Sequence, residues 1–271
     1  MKTKIFLVLL IIVIVIAGIL AFINLKTNEK EMDLQRIISK GNLVLGLDDS
    51  FPPMGFRNEN NEIVGFDIDV AKEVSKRLGV ELVLQPISWT AKEQELNSYN
   101  IDCIWNGMSV NEERKQAMSL SNPYLENSMS FVTKAESSIN KLEDLKGKKI
   151  GVQSGSTAEE ILQKSEIYKD IEEVVSYTDN ITAFMDLEIN QIDVVFLDNV
   201  VANYYITSNN KPYKVLEEGL EKEEYAIGFR KQDTEVCSKV NEILIEMKKD
   251  GSLSKISEKW FGEDITIVKE K

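Results

Sequence analysis

The sequence predicts an α/β protein built from two similar lobes. Apolar stretches of strand length alternate with stretches whose apolar residues recur at helical spacing, and this alternation occurs twice along the chain. A strand–helix–strand order implies a parallel sheet with helices on both faces. Because few strands remain after about residue 224, we expect the last segment to complete one of the lobes.

The first set of elements begins with a buried strand over residues 43–47. It continues with a helix between Gly65 and Gly79, a strand over 80–85, a short helix and a strand over 101–105. The second set comprises a strand over Lys149–Gln153, a helix from about Thr157, the apolar stretch 171–177, a helix over 181–187, a strand over 192–198 and a helix over 199–206. The tail is expected to add a strand over 225–229, a helix over 234–249 and a short helix ending in KWFG.

The amino end carries an apolar helix. Residues 5–23 contain no charge and follow Lys2 and Lys4, so the run nearly crosses a hydrocarbon core with its amino end in the cytoplasm. Residues 1–25 are therefore a signal-anchor or a cleaved signal peptide, and both would export the remainder. We favour the anchor, because the run is long for a signal peptide. Residues 26–40 are predicted to be a polar linker.

Composition excludes several functions. A net charge of −13 argues against nucleic acid or an anionic membrane surface as the main partner. The absence of histidine removes Ser-His-Asp and Cys-His catalysis and disfavours a transition-metal site, so we expect no metal and no cofactor. Cys103 is predicted to be buried and Cys237 to lie nearer the surface, both as free thiols.

Three turns at strand ends carry the candidate site. In GLDDSFPPMGF, two prolines stiffen a loop that holds Asp48 and Phe51, which could be a binding wall or a packed connector. The turn Gly107–Ser109 follows a strand, and Arg114 comes shortly after as a planar fork for a carboxylate, or else as a surface arginine.

The third turn, GVQSGST, starts a helix whose free N–H groups could meet an anion, or whose Ser156 or Thr157 is an ordinary N-cap. Asp198 ends a strand and must face a crevice or cap a helix, and Trp89 belongs to the core or to a cleft. Asp67 is interpreted as the N-cap of its helix. Together these groups could hold a zwitterion, with a cation for its carboxylate and an acid for its ammonium.

The chain contains, in this order, the motifs GxDxxFPPMxF, GFDIDVAKEV, IDCIWNGMSVNEER, DLKGKKIGVQSGST and DGSLSKISEKWFG. As a set they resemble the family-3 extracellular solute-binding proteins, which are the amino-acid-binding components of ABC importers. The resemblance covers residues 41–263. It implies the two-lobed type II periplasmic-binding-protein fold, with each lobe a mostly parallel sheet flanked by helices. It also implies a discontinuous first lobe over 41–129 and 223–271 and a second over 130–222, joined by two hinge strands.

The resemblance further implies a role for each site residue. Arg114 and N–H groups of Ser109 and Thr157 would bind the α-carboxylate. Asp198, the Ser109 hydroxyl and the Gly107 carbonyl would bind the α-ammonium. The rest of the expected set consists of Phe51 and Trp89 beside the side chain, Asp48 and Gln153 at its tip, and Met108 and Ser156.

The expected function is the binding of one polar or basic L-amino acid, cystine among them, by lobe closure at the extracytoplasmic face. A monomer would deliver it to ABC permease subunits. Two alternatives stay open, a membrane-anchored amino-acid sensor that signals through a partner, and an enzyme like the cyclohexadienyl dehydratases of the same architecture.

Overall fold

The computed structural model describes residues 33–208 and 211–269, which form two lobes built around mixed β-sheets. In chain order the strands are β1 (Asn42–Leu47), β2 (Ser50–Phe51), β3 (Gly55–Arg57), β4 (Ile63–Val64), β5 (Glu81–Pro86), β6 (Cys103–Ile104), β7 (Met118–Leu120), β8 (Leu125–Lys134), β9 (Lys149–Gln153), β10 (Glu173–Tyr177), β11 (Val194–Asp198), β12 (Tyr213–Val215), β13 (Lys222–Tyr225) and β14 (Gly228–Arg230). The helices are α1 (residues 33–40), α2 (Phe66–Leu78), α3 (Lys92–Asn97), α4 (Glu112–Ala117), α5 (Thr157–Lys164), α6 (Asn180–Glu188), α7 (Asn199–Ser208), α8 (Thr234–Lys249) and α9 (Ser252–Phe261).

The sheet of the first lobe has the order β5-β1-β6-β14-β7. Its strand β1 is parallel to β5 and β6, so the carboxyl ends of these three strands lie at one edge. Strand β14 is antiparallel to β6 and β7, which makes this sheet mixed rather than wholly parallel. After β1 the chain forms the small sheet β2-β3-β4, so the proline-rich segment is a hairpin and not only a loop.

The second lobe repeats this arrangement around β9. Its sheet has the order β10-β9-β11-β8-β12, with β9 parallel to β10 and β11, and with β8 antiparallel to β11 and β12. The aromatic rings of Phe131 and Phe196 stack at 4.2 Å across this β8–β11 pair. The strand ends Gln153 and Asp198 therefore lie near one another at the edge that faces the first lobe.

Two strands connect the lobes. The first part of β8 pairs with β13 over residues 125–128, and its second part belongs to the sheet of the second lobe. Near the carboxyl end, Thr266 forms a β-bridge with Leu125. The predicted lobe boundaries at 129/130 and 222/223 fall inside β8 and β13, which is where we propose that the hinge lies.

Several expectations are wrong in detail. Residues 33–40 of the predicted linker are helical, because buried Ile37 packs in the core and Asp33 and Arg36 bind the first lobe. The predicted strand 225–229 is divided between β13 and β14, with two residues between them. Cys237 is buried and not near the surface, since it lies on the inner face of α8.

The amino-terminal apolar segment, residues 5–23, lies outside the described residues. Within the described ranges, no helix is long and apolar enough to cross a membrane.

Candidate ligand-binding site

A cavity lies between the lobes, at the edge where the strands of both sheets end. Its lining comes from both lobes and consists of Asp48, Phe51, Trp89, Asn106, Gly107, Ser109, Arg114, Met129, Gln153, Ser156, Thr157 and Asp198. All of the predicted site residues except Met108 belong to this lining. Met108 is fully buried in a core cluster with Leu96 and Ile104, because the turn directs its side chain away from the cavity.

The first wall of the cavity is formed by Asp48 at the end of β1. The Asp48 backbone N–H donates to Asn106 Oδ1 at 2.9 Å, and its Oδ1 accepts the Ser50 N–H at 2.9 Å. Its Oδ2 accepts from Gln153 Nε2 of the other lobe at 2.6 Å. Burial raises the pKa of Asp48 to about 6, although these hydrogen bonds oppose the shift.

The turn at Gly107 requires a glycine. Its φ of +55° lies in the left-handed region, and a Cβ atom there would come within 2.9 Å of Phe51 Cε1. The Gly107 N–H donates to Asp67 Oδ2 at 2.7 Å. Asp67 is therefore not the N-cap, a position that Gly65 occupies, but a fully buried acceptor that anchors the turn from α2.

Arg114 is held in the cavity by the local structure of α4. Asn111 caps this helix by accepting the Arg114 backbone N–H at 2.8 Å. The guanidinium then turns back, and its Nη1 donates to the Ser109 carbonyl oxygen at 2.7 Å. Burial lowers the pKa of Arg114 from its ordinary value, and the charges of Glu223 and Asp198 oppose this shift. An arginine with such neighbours stays cationic at neutral pH.

The start of α5 supplies donors from the second lobe. Ser156 is the N-cap, since its hydroxyl accepts the Glu159 N–H at 3.2 Å, so the ordinary capping interpretation holds for this residue. Thr157 Oγ1 lines the cavity and is buried without a hydrogen-bond partner in the described part of the chain, and the same holds for Asn106 Nδ2. Buried polar atoms of this kind are suited to a polar ligand.

Asp198 closes the other side of the cavity at the end of β11. Its Oδ1 accepts from Asn127 Nδ2 at 2.8 Å and from the Tyr225 hydroxyl. Glu223 lies beside it and accepts from Ser109 Oγ at 2.9 Å. Glu223 and Met129 were not among the predicted site residues. For Glu223 a signal existed, because alternation along β13 turns Glu223 and Tyr225 inward.

The charges suit a ligand that carries both a cation and a carboxylate. The acids Asp48, Asp198 and Glu223 are all buried, and Asp198 and Glu223 act on the charge of Arg114, which is itself only 5% exposed. Burying an ionised group is costly unless an opposite charge or a hydrogen bond compensates it. The aromatic rings of Phe51 and Trp89 add apolar surface between these polar groups.

Residues 43–263 match the family model of the bacterial extracellular solute-binding proteins, family 3. The chain belongs to this family. The L-cystine-binding protein TcyJ of Escherichia coli (strain K12) is 32% identical to this family-3 protein over 251 residues, which are 92% of this chain and 93% of the relative. The resemblance predicted from the motifs is thus confirmed.

Solved structures of similar proteins agree with the fold. The crystal structure of Tv2483 bound to L-arginine has a TM-score of 0.84 at 33% identity, covering 88% of this chain and 97% of that one. A substrate-binding protein of an ABC uptake transporter from Streptococcus pneumoniae with bound histidine has a TM-score of 0.84 at 38% identity. The match covers 86% of this chain and 98% of that one. The type II periplasmic-binding-protein fold is therefore the fold of this chain. The relatives TcyJ and the Streptococcus pneumoniae protein are binding proteins.

Proposed function

We propose that this family-3 protein binds a single polar or basic L-amino acid between its lobes and delivers it to an ABC permease. The observation that carries the proposal is that Arg114 of the first lobe and Asp198 of the second line one cavity. A zwitterion needs both groups, so only the closed form offers a complete site.

The backbone of the amino acid determines the orientation of the ligand. Its α-carboxylate lies against the Arg114 guanidinium, with donors from Ser109 and from Thr157 at the start of α5. Its α-ammonium lies against Asp198, the Ser109 hydroxyl and the Gly107 carbonyl. A site that buries both charges selects strictly for α-amino acids, because a ligand lacking either group leaves a buried partner unpaired.

The side chain extends between Phe51 and Trp89 towards Asp48 and Gln153. The excess of buried acids over cations in the lining supports a ligand with a second positive group, which arginine and cystine both have. Two of the relatives named above bind these compounds, L-arginine in one and L-cystine in the other. Ligand entry would replace the hydrogen bond between Asp48 and Gln153 with contacts to the ligand.

The protein acts outside the cytoplasm, like its family. We propose that residues 5–23 either anchor it in the cell membrane or are removed as a signal. The closed lobes present a monomer to the permease, and the protein has no catalytic role of its own.

The test is thermal unfolding of the refolded, ligand-free protein with each common L-amino acid and with L-cystine. An amino acid at about 100 times its Kd adds about 2.7 kcal/mol, which raises the Tm by several degrees. Arg114→Met and Asp198→Asn should abolish the shift. Exposed Lys115→Met and Asp170→Asn, matched in charge change, should retain it. A wild-type protein that no amino acid stabilises would refute the proposal and favour the enzyme or another ligand class.

A further inference from the structure

A second buried carboxylate, that of Glu223, lies beside Asp198 and contacts Ser109 of the cavity lining. Glu223 lies directly opposite Asn127 in the β13–β8 register, and Asn127 Nδ2 donates to Asp198 Oδ1 at 2.8 Å and to Glu223 Oε2 at 3.4 Å. Asp198 is only 6% exposed and Glu223 only 8%. The two acids thus share one amide donor in a place from which water is largely excluded.

The groups that face this pair do not neutralise it. Asp198 also accepts from the Tyr225 hydroxyl, and Glu223 from Ser109 Oγ, and both donors are neutral. Arg114 is the cation that acts on both carboxylates, but its Nη1 hydrogen-bonds to the Ser109 carbonyl oxygen. Among the described residues, neither carboxylate forms an ion pair. Two adjacent buried acids repel each other when both are ionised, so the pair favours a shared proton or a bound cation in addition to Arg114.

We propose that Glu223 is a further ligand-binding residue. Together with Asp198 it exchanges a shared proton for the ammonium group of the amino acid. This proposal rests on the proposed function. Thr157 Oγ1, nine-tenths buried without a hydrogen-bond partner in the described residues, lines the same cavity and independently indicates a polar ligand there.

The exchange conserves the charge of the carboxylate pair together with the cation that it holds, while the ligand α-carboxylate lies against Arg114. In the ligand-free protein one carboxyl of the pair carries the proton. The entering ammonium brings one positive charge and donates N–H groups to both carboxylates, and the carboxyl proton leaves to solvent. No covalent bond other than this O–H bond breaks.

The exchange of a proton for the ammonium group makes the affinity for the amino acid depend on pH. Burial raises the pKa of both Asp198 and Glu223, and repulsion from Asp198 raises the pKa of Glu223 further, while Arg114 opposes both shifts. The ligand ammonium lowers the pKa values again. Affinity must therefore rise with pH while the ligand-free pair is protonated, by at most about tenfold per pH unit for one proton, and level off once both acids are ionised.

The first experiment needs no ligand. Carboxyl ¹³C NMR of the refolded protein should show one glutamate signal that stays protonated near pH 6 and that is absent in Glu223→Gln. Glu224→Gln is the matched control, because Glu224 is the next residue of β13 and points to solvent. Full ionisation of both Glu223 and Asp198 at pH 6, with the Asp198 signal identified by its loss in Asp198→Asn, would overturn the proposal.

The second experiment is calorimetric titration with the amino acids that raise the Tm, L-arginine and L-cystine being the first probes, in buffers of different ionisation enthalpy at pH 6. The wild type and Glu224→Gln should release about one proton per ligand, and Glu223→Gln should release almost none. Binding without proton release refutes the exchange and leaves the proposed function intact. Failure of every L-amino acid to bind refutes the proposed function, and the exchange with it.

Discussion

At the scale of single residues, Asp67 and Asp69 show that the surroundings of an acid decide its role. They lie two positions apart in α2, yet their pKa values shift in opposite directions. Burial raises the pKa of Asp67 to about 7 against the hydrogen bond from Gly107. Burial also disfavours the ionised form of Asp69, but hydrogen bonds from Lys259 and Trp260 outweigh it and lower the pKa.

Asp67→Asn should make stability less dependent on pH between about 4 and 7. In the unfolded chain Asp67 ionises near 3.9, whereas in the folded protein it keeps its proton up to about 7. The folded state thus binds more protons in this window, and stability falls as pH rises. The amide removes the part of the slope that Asp67 contributes, while buried acids such as Asp48 keep theirs. Urea unfolding of the ligand-free protein at several pH values measures how the free energy of unfolding changes with pH.

Asp69→Asn is the control for this experiment. Because the pKa of Asp69 is lowered on folding, its contribution is present above about pH 3.9 and is lost only in more acid solution. Its amide should leave the slope between pH 4 and 7 as in the wild type. An equal slope in Asp67→Asn and the wild type would contradict the assignment of a neutral, buried Asp67.

At the scale of elements, α1 ties the start of the described chain to the first lobe. The Asp33 side chain accepts the backbone N–H groups of Glu235 and Val236 at the start of α8, at 2.9 and 3.4 Å. Arg36 bridges Asp102 and Asp233, and these acids also contact the buried guanidinium of Arg230. A segment of linker-like composition is thus part of the folded lobe.

Asp33→Ala should lower the free energy of unfolding by about 1 kcal/mol, because the first N–H groups of α8 lose a capping acceptor. Chemical denaturation of the ligand-free protein measures the change. Gln35→Ala, on the exposed side of α1, should change stability by less than about 0.5 kcal/mol. Equal effects of the two substitutions would show that α1 does not cap α8 in solution.

At the scale of the whole molecule, a small set of contacts joins the lobes across the cleft. Lys92 Nζ of the first lobe donates to the Gly155 carbonyl oxygen of the second at 3.1 Å. Asn111 Nδ2 donates to Glu160 Oε2 at 3.0 Å, and the rings of Phe56 and Tyr204 lie 5.4 Å apart. Because these contacts span the cleft, they can form only when the lobes are close together, as in the closed form.

Lys92→Met should increase the dissociation rate of the bound amino acid about tenfold, since a charged hydrogen bond of the closed form is lost while the ligand contacts remain. The association rate and the unfolding of the ligand-free protein should change little. Stopped-flow fluorescence resolves the two rates. Lys72→Met, at an exposed position of α2, serves as the control. An unchanged dissociation rate would mean that Lys92 does not hold the lobes together.

Much of the site could be predicted because its residues follow local rules. Gln153 and Asp198 end neighbouring parallel strands of one sheet and Asp48 follows a parallel strand of the other, and ligand sites form at such strand ends. Met108 was placed wrongly because its neighbours in the turn line the cavity, and only the backbone path shows that its own side chain points to the core. Glu223 was missed because it lies 114 residues after its partner Ser109.

The sequence by itself determined the alternation of elements, the two-lobed class and the family, since apolar periodicity and turn residues act over a few positions. The tertiary structure alone decided which distant groups share a buried space. It placed α1 on the first lobe, set Asp67 beneath Gly107 and brought Glu223 beside Asp198. The reason is physical: burial and neighbouring charge, which set the chemistry of an acid, depend on contacts between residues far apart in the chain.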